Sequence, residues 1–251
     1  MTVAMAFLLI TCEHGGNGIP VPFRPLFREH TALLDSHRGW DPGALVTAEA
    51  LAQACQAPLV ASTTSRLLVD LNRSVGHPHA FSSVTRAAPM EVRAKIIEEH
   101  YRPYRDEVES LVRRAVSGGQ RVTHISSHSF TPDLDGVVRQ ADIGLLYDPR
   151  RPGEVEMSTR WQRSLAALRP ELRVRRNYPY AGKADGLTSH LRKRFLPGEY
   201  VGIELEVNQR IVLEAGPPWT ELQDVLIDSL QAAIAPEQRR STARERAGST
   251  P

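Results

Sequence analysis

Residues 5–20 read MAFLLITCEHGGNGIP. Met5 to Ile10 is a continuous apolar run of strand length, closed within a few residues by a glycine-rich turn. A run this short, ended by a turn signal, reads as a buried strand rather than a helix. Glu13 and His14 stand at the junction, and glycines follow at 15, 16 and 18. The glycines let the backbone turn sharply and leave room for a ligand.

The pattern repeats along the chain. Segments 58–62, 66–71, 122–127, 141–147, 172–175 and 200–207 read as extended. Helical periodicity covers 42–56, where Asp41 is placed to cap and Pro42 to start the helix. It covers 89–118 with an interruption near Pro103, then 154–167, 187–195 and 219–233. Strands alternating with helices predict a single α/β domain with a mainly parallel central sheet and helices on both faces. We set its limits at 1–234 and read 235–251 as a polar, disordered tail. The last sixteen residues carry four Arg and two Glu, which equals the whole net charge of +2.

Composition excludes several classes. Hydrophobic residues make up 41% and charged residues 24% of the 251, ordinary values for a globular domain. No Lys/Arg stripe with interleaved aromatics indicates nucleic acid. The first apolar run is too short to span a bilayer, and it lacks the flanks of a targeting signal. Cys12 and Cys55 do not make a disulfide framework, so free thiols in a cytoplasmic protein are expected. Oligomeric state is not legible.

In open α/β sheets, sites form beyond the carboxyl ends of strands. His14 stands there, as does His128 in HISSHSFTP, and Glu204 and Glu206 close YVGIELEV. Two imidazoles and a carboxylate with an open position are a common catalytic zinc set, and a further carboxylate can serve as general base. Each residue also has a plain structural reading. His124 shares a strand face with His128 and competes with it as a ligand. Glu204 and Glu206 share a face, and on an edge strand both would be solvated. Asp70, Asn72 and Arg73 end RLLVDLNRS; the Asn–Arg pair suits a carboxylate, or forms an ordinary turn.

Seven short motifs, TCEHGGNGIP, HRGWDPGALVTAEALA, SRLLVDLNRS, ISSHSFTP, ADIGLLYDP, NYPYAG and GIELEVNQ, occur in order. In that order they resemble the N-formylglutamate amidohydrolase family, from about Leu8 to about Gln231. The family is similar in fold to zinc carboxypeptidases and zinc-dependent peptidoglycan amidases, which implies a zinc-exopeptidase type of sheet. The resemblance implies one Zn2+ per chain, held by His14, Asp41 and His128, with Glu13 the alternative third ligand. It implies Glu206 as general base with Glu204 supporting, and we assign oxyanion stabilisation to Arg139. Asn72 and Arg73 match the carboxylate-binding pair of the carboxypeptidases. Asn17, Asn177 and Tyr180 complete the substrate contacts expected for a small acyl amino acid. Two departures bear on the acyl group and the amino acid: Gln209 stands where the family motif Glu-x-Asn-Arg has Arg, and the 177–186 loop is less glycine-rich. Two alternatives stay open: hydrolysis of another N-acylamino acid or a peptidoglycan-derived amide, and metal-free small-molecule binding.

Overall fold

A computed structural model describes residues 6–214 and 216–247, and side chains as far as residue 235. Six strands form the central sheet: β1 (Ala6–Cys12), β2 (Leu59–Ala61), β3 (Arg121–Phe130), β6 (Ile143–Leu146), β7 (Val174–Arg176) and β8 (Tyr200–Asn208). A separate hairpin joins β4 (Asp133–Leu134) to β5 (Val137–Val138). The sheet order is β2-β1-β3-β8-β6-β7. The first four strands in that order are mutually parallel, and β6 and β7 run the other way. The helices are α1 (Thr31–Leu34), α2 (Ala44–Cys55), α3 (Ser83–Arg86), α4 (Met90–Ile96), α5 (Arg102–Ser117), α6 (Pro152–Leu168), α7 (Leu187–Arg194), α8 (Gln209–Glu214) and α9 (Pro217–Ala247).

Strands β3 and β8 lie at the centre, and every residue of β8 is buried. Strand alternation divides their side chains between two faces. On one, Ile10, Ile125, Ile203, Leu205 and Val207 pack with α2, α6 and α9, around Trp161. Trp161 is buried, and its indole N–H donates to Ser229 Oγ at 2.9 Å. On the other, Leu9, Val122 and Tyr200 pack with α5 and α7 near the strand starts. Toward the strand ends this second face turns polar.

The structure differs from the sequence reading in five places. Residues 66–71 form turns, not a strand: Leu68 N–H donates to Ser65 O at 2.9 Å and Arg73 N–H to Asp70 O at 3.1 Å. Their apolar side chains are buried in the core under α5, so burial was legible and strand pairing was not. Asp41 makes no helix cap; α2 begins at Ala44 after Gly43, whose φ of 79° is left-handed. A Cβ at Gly43 would also stand 2.6 Å from Val212 Cγ1. The break in the long helical stretch is a π-helical turn at Ile97–Tyr101. Pro103 follows that turn directly, at the second position of α5, and its missing N–H removes one donor from the continuous helical stretch. Finally, α9 runs to Ala247, through most of the segment expected to be a disordered tail. That segment is rich in Ala, Glu, Gln and Arg, which favour helix; residues 248–251, and residues 1–5 at the other end, lie outside the described residues. Gly16 supplies the fifth difference, because its Cβ would meet Thr63 O at 2.6 Å. The glycines after His14 admit the neighbouring backbone rather than a ligand.

Candidate active site

The register carries the polar residues of the second face to one place. Thr11 pairs with Ser126, Ser126 with Glu204 and His128 with Glu206. Two residues past β1, His14 joins them. The loop that carries Asp41 is tied down by backbone bonds: Asp41 N–H donates to His14 O at 2.9 Å and Arg66 N–H to Gly39 O at 3.1 Å. The ligand-type atoms of His14, Asp41 and His128 lie within 4.8 Å of one another, and all three residues are buried.

Asp41 Oδ2 is the centre of this cluster. His14 Nδ1 lies 3.2 Å from it and His128 Nδ1 2.9 Å. The other ring nitrogens point away, each to a second carboxylate. His14 Nε2–H donates to Asp70 Oδ1 at 2.7 Å, and His128 Nε2 lies 3.0 Å from Glu13 Oε2. A carboxylate behind each imidazole fixes ring orientation and leaves Nδ1 for a ligand or metal. Glu13 is itself held by Tyr104, whose hydroxyl donates to Oε1 at 2.7 Å, and by Ser126, which donates to Oε2 at 2.5 Å. Glu13 therefore lies behind His128, on the far side from Asp41.

Burial opposes ionisation of both Asp41 and Glu13, yet both are held well below the usual carboxylate range. His14, His128 and Arg66 outweigh burial at Asp41; His128 and Ser126 do so at Glu13. Glu206 behaves oppositely. Burial pushes its carboxyl up to about 8, with Asp41 and Glu204 adding to the rise and His128 opposing it. Its Oε2 is buried and, among the described residues, has no hydrogen-bond partner. A buried, unpartnered carboxylate oxygen beside two imidazoles and Asp41 fits a site built to receive a cation. The donor set, two imidazoles and one carboxylate, suits a divalent transition metal.

A cavity of about 300 Å3 opens over this cluster, lined by His14, Asp41, Arg66, Asn72, Arg73, His128, Tyr180, Asp185, Glu204 and Glu206 among others. Eight of the eleven residues singled out in the sequence are brought to it. Arg73 donates to the backbone oxygen of Asp185, and Asn72 Oδ1 accepts Leu187 N–H at 2.7 Å. Glu204 Oε1 accepts from Thr188 Oγ1. The other three do not line the cavity. Asn17 donates to Asp35 Oδ1 at 2.8 Å. Asn177 has a left-handed φ of 51°, and its Oδ1 accepts Tyr147 N–H and Gly182 N–H, both at 3.0 Å. It shapes the loop that carries Tyr180. Arg139 donates to Tyr180 Oη at 3.0 Å and stacks on its ring, so it reaches the cavity only through that tyrosine. Gln209 lies beneath the site and donates to Ser129 Oγ at 3.1 Å.

Sequence reasoning left out Arg66 and gave Asp70 no part in the site. Their i,i+4 spacing in RLLVD was a visible signal for an ion pair, but not for its place beside His14. His124, the competing ligand, is fully buried and bonds Thr11 Oγ1 at 2.8 Å and Tyr200 Oη at 2.7 Å, so both its nitrogens are occupied away from the cavity.

A six-stranded, mostly parallel α/β sheet with a buried His/Asp/His cluster under a polar cleft at its strand ends defines an α/β protein with a candidate metal site. A family model described as N-formylglutamate amidohydrolase matches residues 6–213. The chain belongs to the N-formylglutamate amidohydrolase family. Among solved structures, a gene product from Agrobacterium tumefaciens is similar at 27% identity, with a TM-score of 0.79 over 94% of this chain and 93% of that one. An N-formylglutamate amidohydrolase from Ralstonia eutropha JMP134 has the same fold at 20% identity, with a TM-score of 0.64 over 93% and 95%. A metallo-carboxypeptidase from Pseudomonas aeruginosa matches more distantly, at 12% identity and a TM-score of 0.43 over 93% of this chain and 58% of that one. No curated protein matches the chain. Among the described residues, no helix is long and apolar enough to cross a membrane.

Proposed function

We propose that this protein is a cytoplasmic, zinc-dependent amidohydrolase that cleaves the C–N amide bond of an N-acylated, N-formyl acidic amino acid. The observation that carries the reading is the buried His14–Asp41–His128 cluster beside the unpartnered Oε2 of Glu206. His14, Asp41 and His128 would hold the metal. When bound there, zinc supplies a Lewis acid for a carbonyl oxygen, lowers the pKa of water to about 7, and adds positive charge that favours ionised Glu206.

Glu206 takes a proton from the attacking water as its oxygen adds to the acyl carbon. It then returns that proton to the amide nitrogen as the C–N bond breaks, releasing a carboxylic acid and an amine. Glu204, held by Thr188, is fixed beside Glu206 on the same strand face. Arg73 and Asn72 bind the substrate carboxylate, since Arg73 spends one donor on Asp185 and keeps the rest of its fork for the cavity. Tyr180, 46% exposed and steadied by Arg139, stands at the mouth. Arg139 supports Tyr180 in this reading, and the oxyanion role expected for it is not retained.

The test is turnover of a panel of N-formyl and N-acetyl amino acids by zinc-loaded protein, before and after chelation. The reading expects the fastest release from N-formyl-L-glutamate or N-formyl-L-aspartate, loss on chelation, and recovery with zinc. Equal rates before and after removal of all metal would refute the metal dependence. Absence of turnover across the panel would refute the substrate class.

A further inference from the structure

Four side chains at the site close a ring. His14 Nδ1 meets Asp41 Oδ2 at 3.2 Å, and Asp41 Oδ1 accepts from Arg66 Nη1 at 3.3 Å. Arg66 Nη2 donates to Asp70 Oδ2 at 2.8 Å, and Asp70 Oδ1 returns to His14 Nε2 at 2.7 Å. Each carboxylate uses both oxygens, the imidazole uses both nitrogens, and the guanidinium uses both terminal nitrogens. His14, Asp41 and Asp70 are each at most 4% exposed, so the imidazole and both carboxylates are shielded from bulk water, while Arg66 is the one partly exposed member of the ring.

We infer that Arg66 is a positioning residue of the metal site, acting through Asp41 and Asp70 rather than on the substrate. This rests on the reading that His14, Asp41 and His128 hold the metal. Free of Arg66, Asp41 presents two equivalent oxygens and can rotate to offer either or both. With Oδ1 engaged by the guanidinium, only Oδ2 faces the two imidazoles, and Asp41 is presented as a one-oxygen ligand. The same fork holds Asp70 Oδ1 against the back of His14, which keeps Nδ1 aimed at the cluster. A planar fork spans two carboxylates at once; a lysine ammonium at this position offers one point charge and cannot hold both in register. Without Arg66 the two buried carboxylates would also lose the fixed positive charge they share and be left to their histidine partners.

Arg66 borders the cavity with about a quarter of its side chain exposed, so a direct contact with substrate is the competing role, and the test separates the two. The protein is prepared as the parent and as Arg66→Lys and Arg66→Gln. Folding is checked by thermal melting. Zinc affinity is measured by chelator competition, and the visible spectrum is recorded for cobalt(II) in place of zinc. Kinetics on N-formyl-L-glutamate are read with metal saturating. The inference expects both variants to lose metal affinity by about 10- to 100-fold, Gln more than Lys. It expects a changed cobalt spectrum and a KM within about twofold of the parent's. Parental zinc affinity and a parental cobalt spectrum in either folded variant would overturn it, as would a raised KM with metal binding intact. If Arg66→Gln does not fold, Arg66→Lys decides by the same criteria. A parent protein that binds neither zinc nor cobalt would overturn the metal reading itself, and this inference with it.

Discussion

His124 and Ile125 are consecutive on β3, both fully buried, and they face different chemistries. Ile125 enters an apolar layer with Ile10, Ile203, Leu205 and Trp161, where close packing does the stabilising. His124 enters a polar layer with Thr11, Tyr200, Ser126 and, further along the strand, His128. In that layer nearly every buried polar atom has a partner, and the main exception is Glu206 Oε2. One strand thus builds stability on one side and a reaction site on the other. Substitutions on the two faces should therefore separate stability from function.

The largest separation is expected at Glu206. Glu206→Gln keeps the shape but cannot accept a proton, so kcat should fall by on the order of 10² to 10⁴-fold. Metal content should stay at the parent level, and the melting temperature should hold or rise because a buried carboxyl of raised pKa is gone. If Glu204→Gln shows the large loss instead, the two strand positions are exchanged in role.

The opposite face should give the mirror result. Ile125→Ala removes packing beneath the site without touching any ligand, and about 2–5 kcal/mol of stability should be lost. Denaturant unfolding reads the cost, while kcat per folded molecule stays near the parent value. A collapse of kcat at unchanged stability would mean that the two faces are not independent.

A third expectation concerns acid. Burial depresses the His124 imidazole to about 4, against about 6.5 for an unfolded histidine. The unfolded chain then binds the extra proton between these values, so the stability from neutral His124 is complete above about 6.5 and is lost as pH falls toward 4. The upper limit is roughly 3 kcal/mol. Urea midpoints of the parent and of His124→Gln, measured between pH 7.5 and 4.5, should converge as pH falls. A constant gap would show that this histidine carries no linkage.

The smallest effect is expected at the cavity wall. Arg73→Lys should raise KM for an N-formyl amino acid by roughly tenfold, the size of one charge-assisted bond. An amidated substrate should show little of that rise. Equal losses on acid and amide would make Arg73 a structural partner of Asp185 alone.

Much of the frame was readable because it depends on local pattern. An apolar run of strand length marked β1, mixed extended segments marked β3 and β8, and the rule that sites lie past strand ends drew attention to His14, His128, Glu204 and Glu206. What could not be read depends on contacts between distant segments. Asp41 looks like a helix cap until His14, His128 and Arg66 surround its carboxylate. Arg66 and Asp70 look like an ordinary i,i+4 pair until the turns of 66–71 bring them under His14. Arg139, Asn17 and Asn177 are polar residues in promising motifs, yet tertiary structure gives their side chains to Tyr180, Asp35 and the backbone of the 177–186 loop. The reversed direction of β6 and β7 leaves no trace in periodicity, because parallel and antiparallel strands share the same alternation.

The central claim is that the polar face of the sheet is a metal site. The most direct measurement is elemental analysis of the protein purified without chelator or added metal, set beside His14→Ala and His128→Ala prepared identically. The account predicts close to one zinc per parent chain and near-zero content in both folded variants. A parent chain free of divalent metal that also fails to take up zinc on titration, or variants that retain full occupancy, would contradict it.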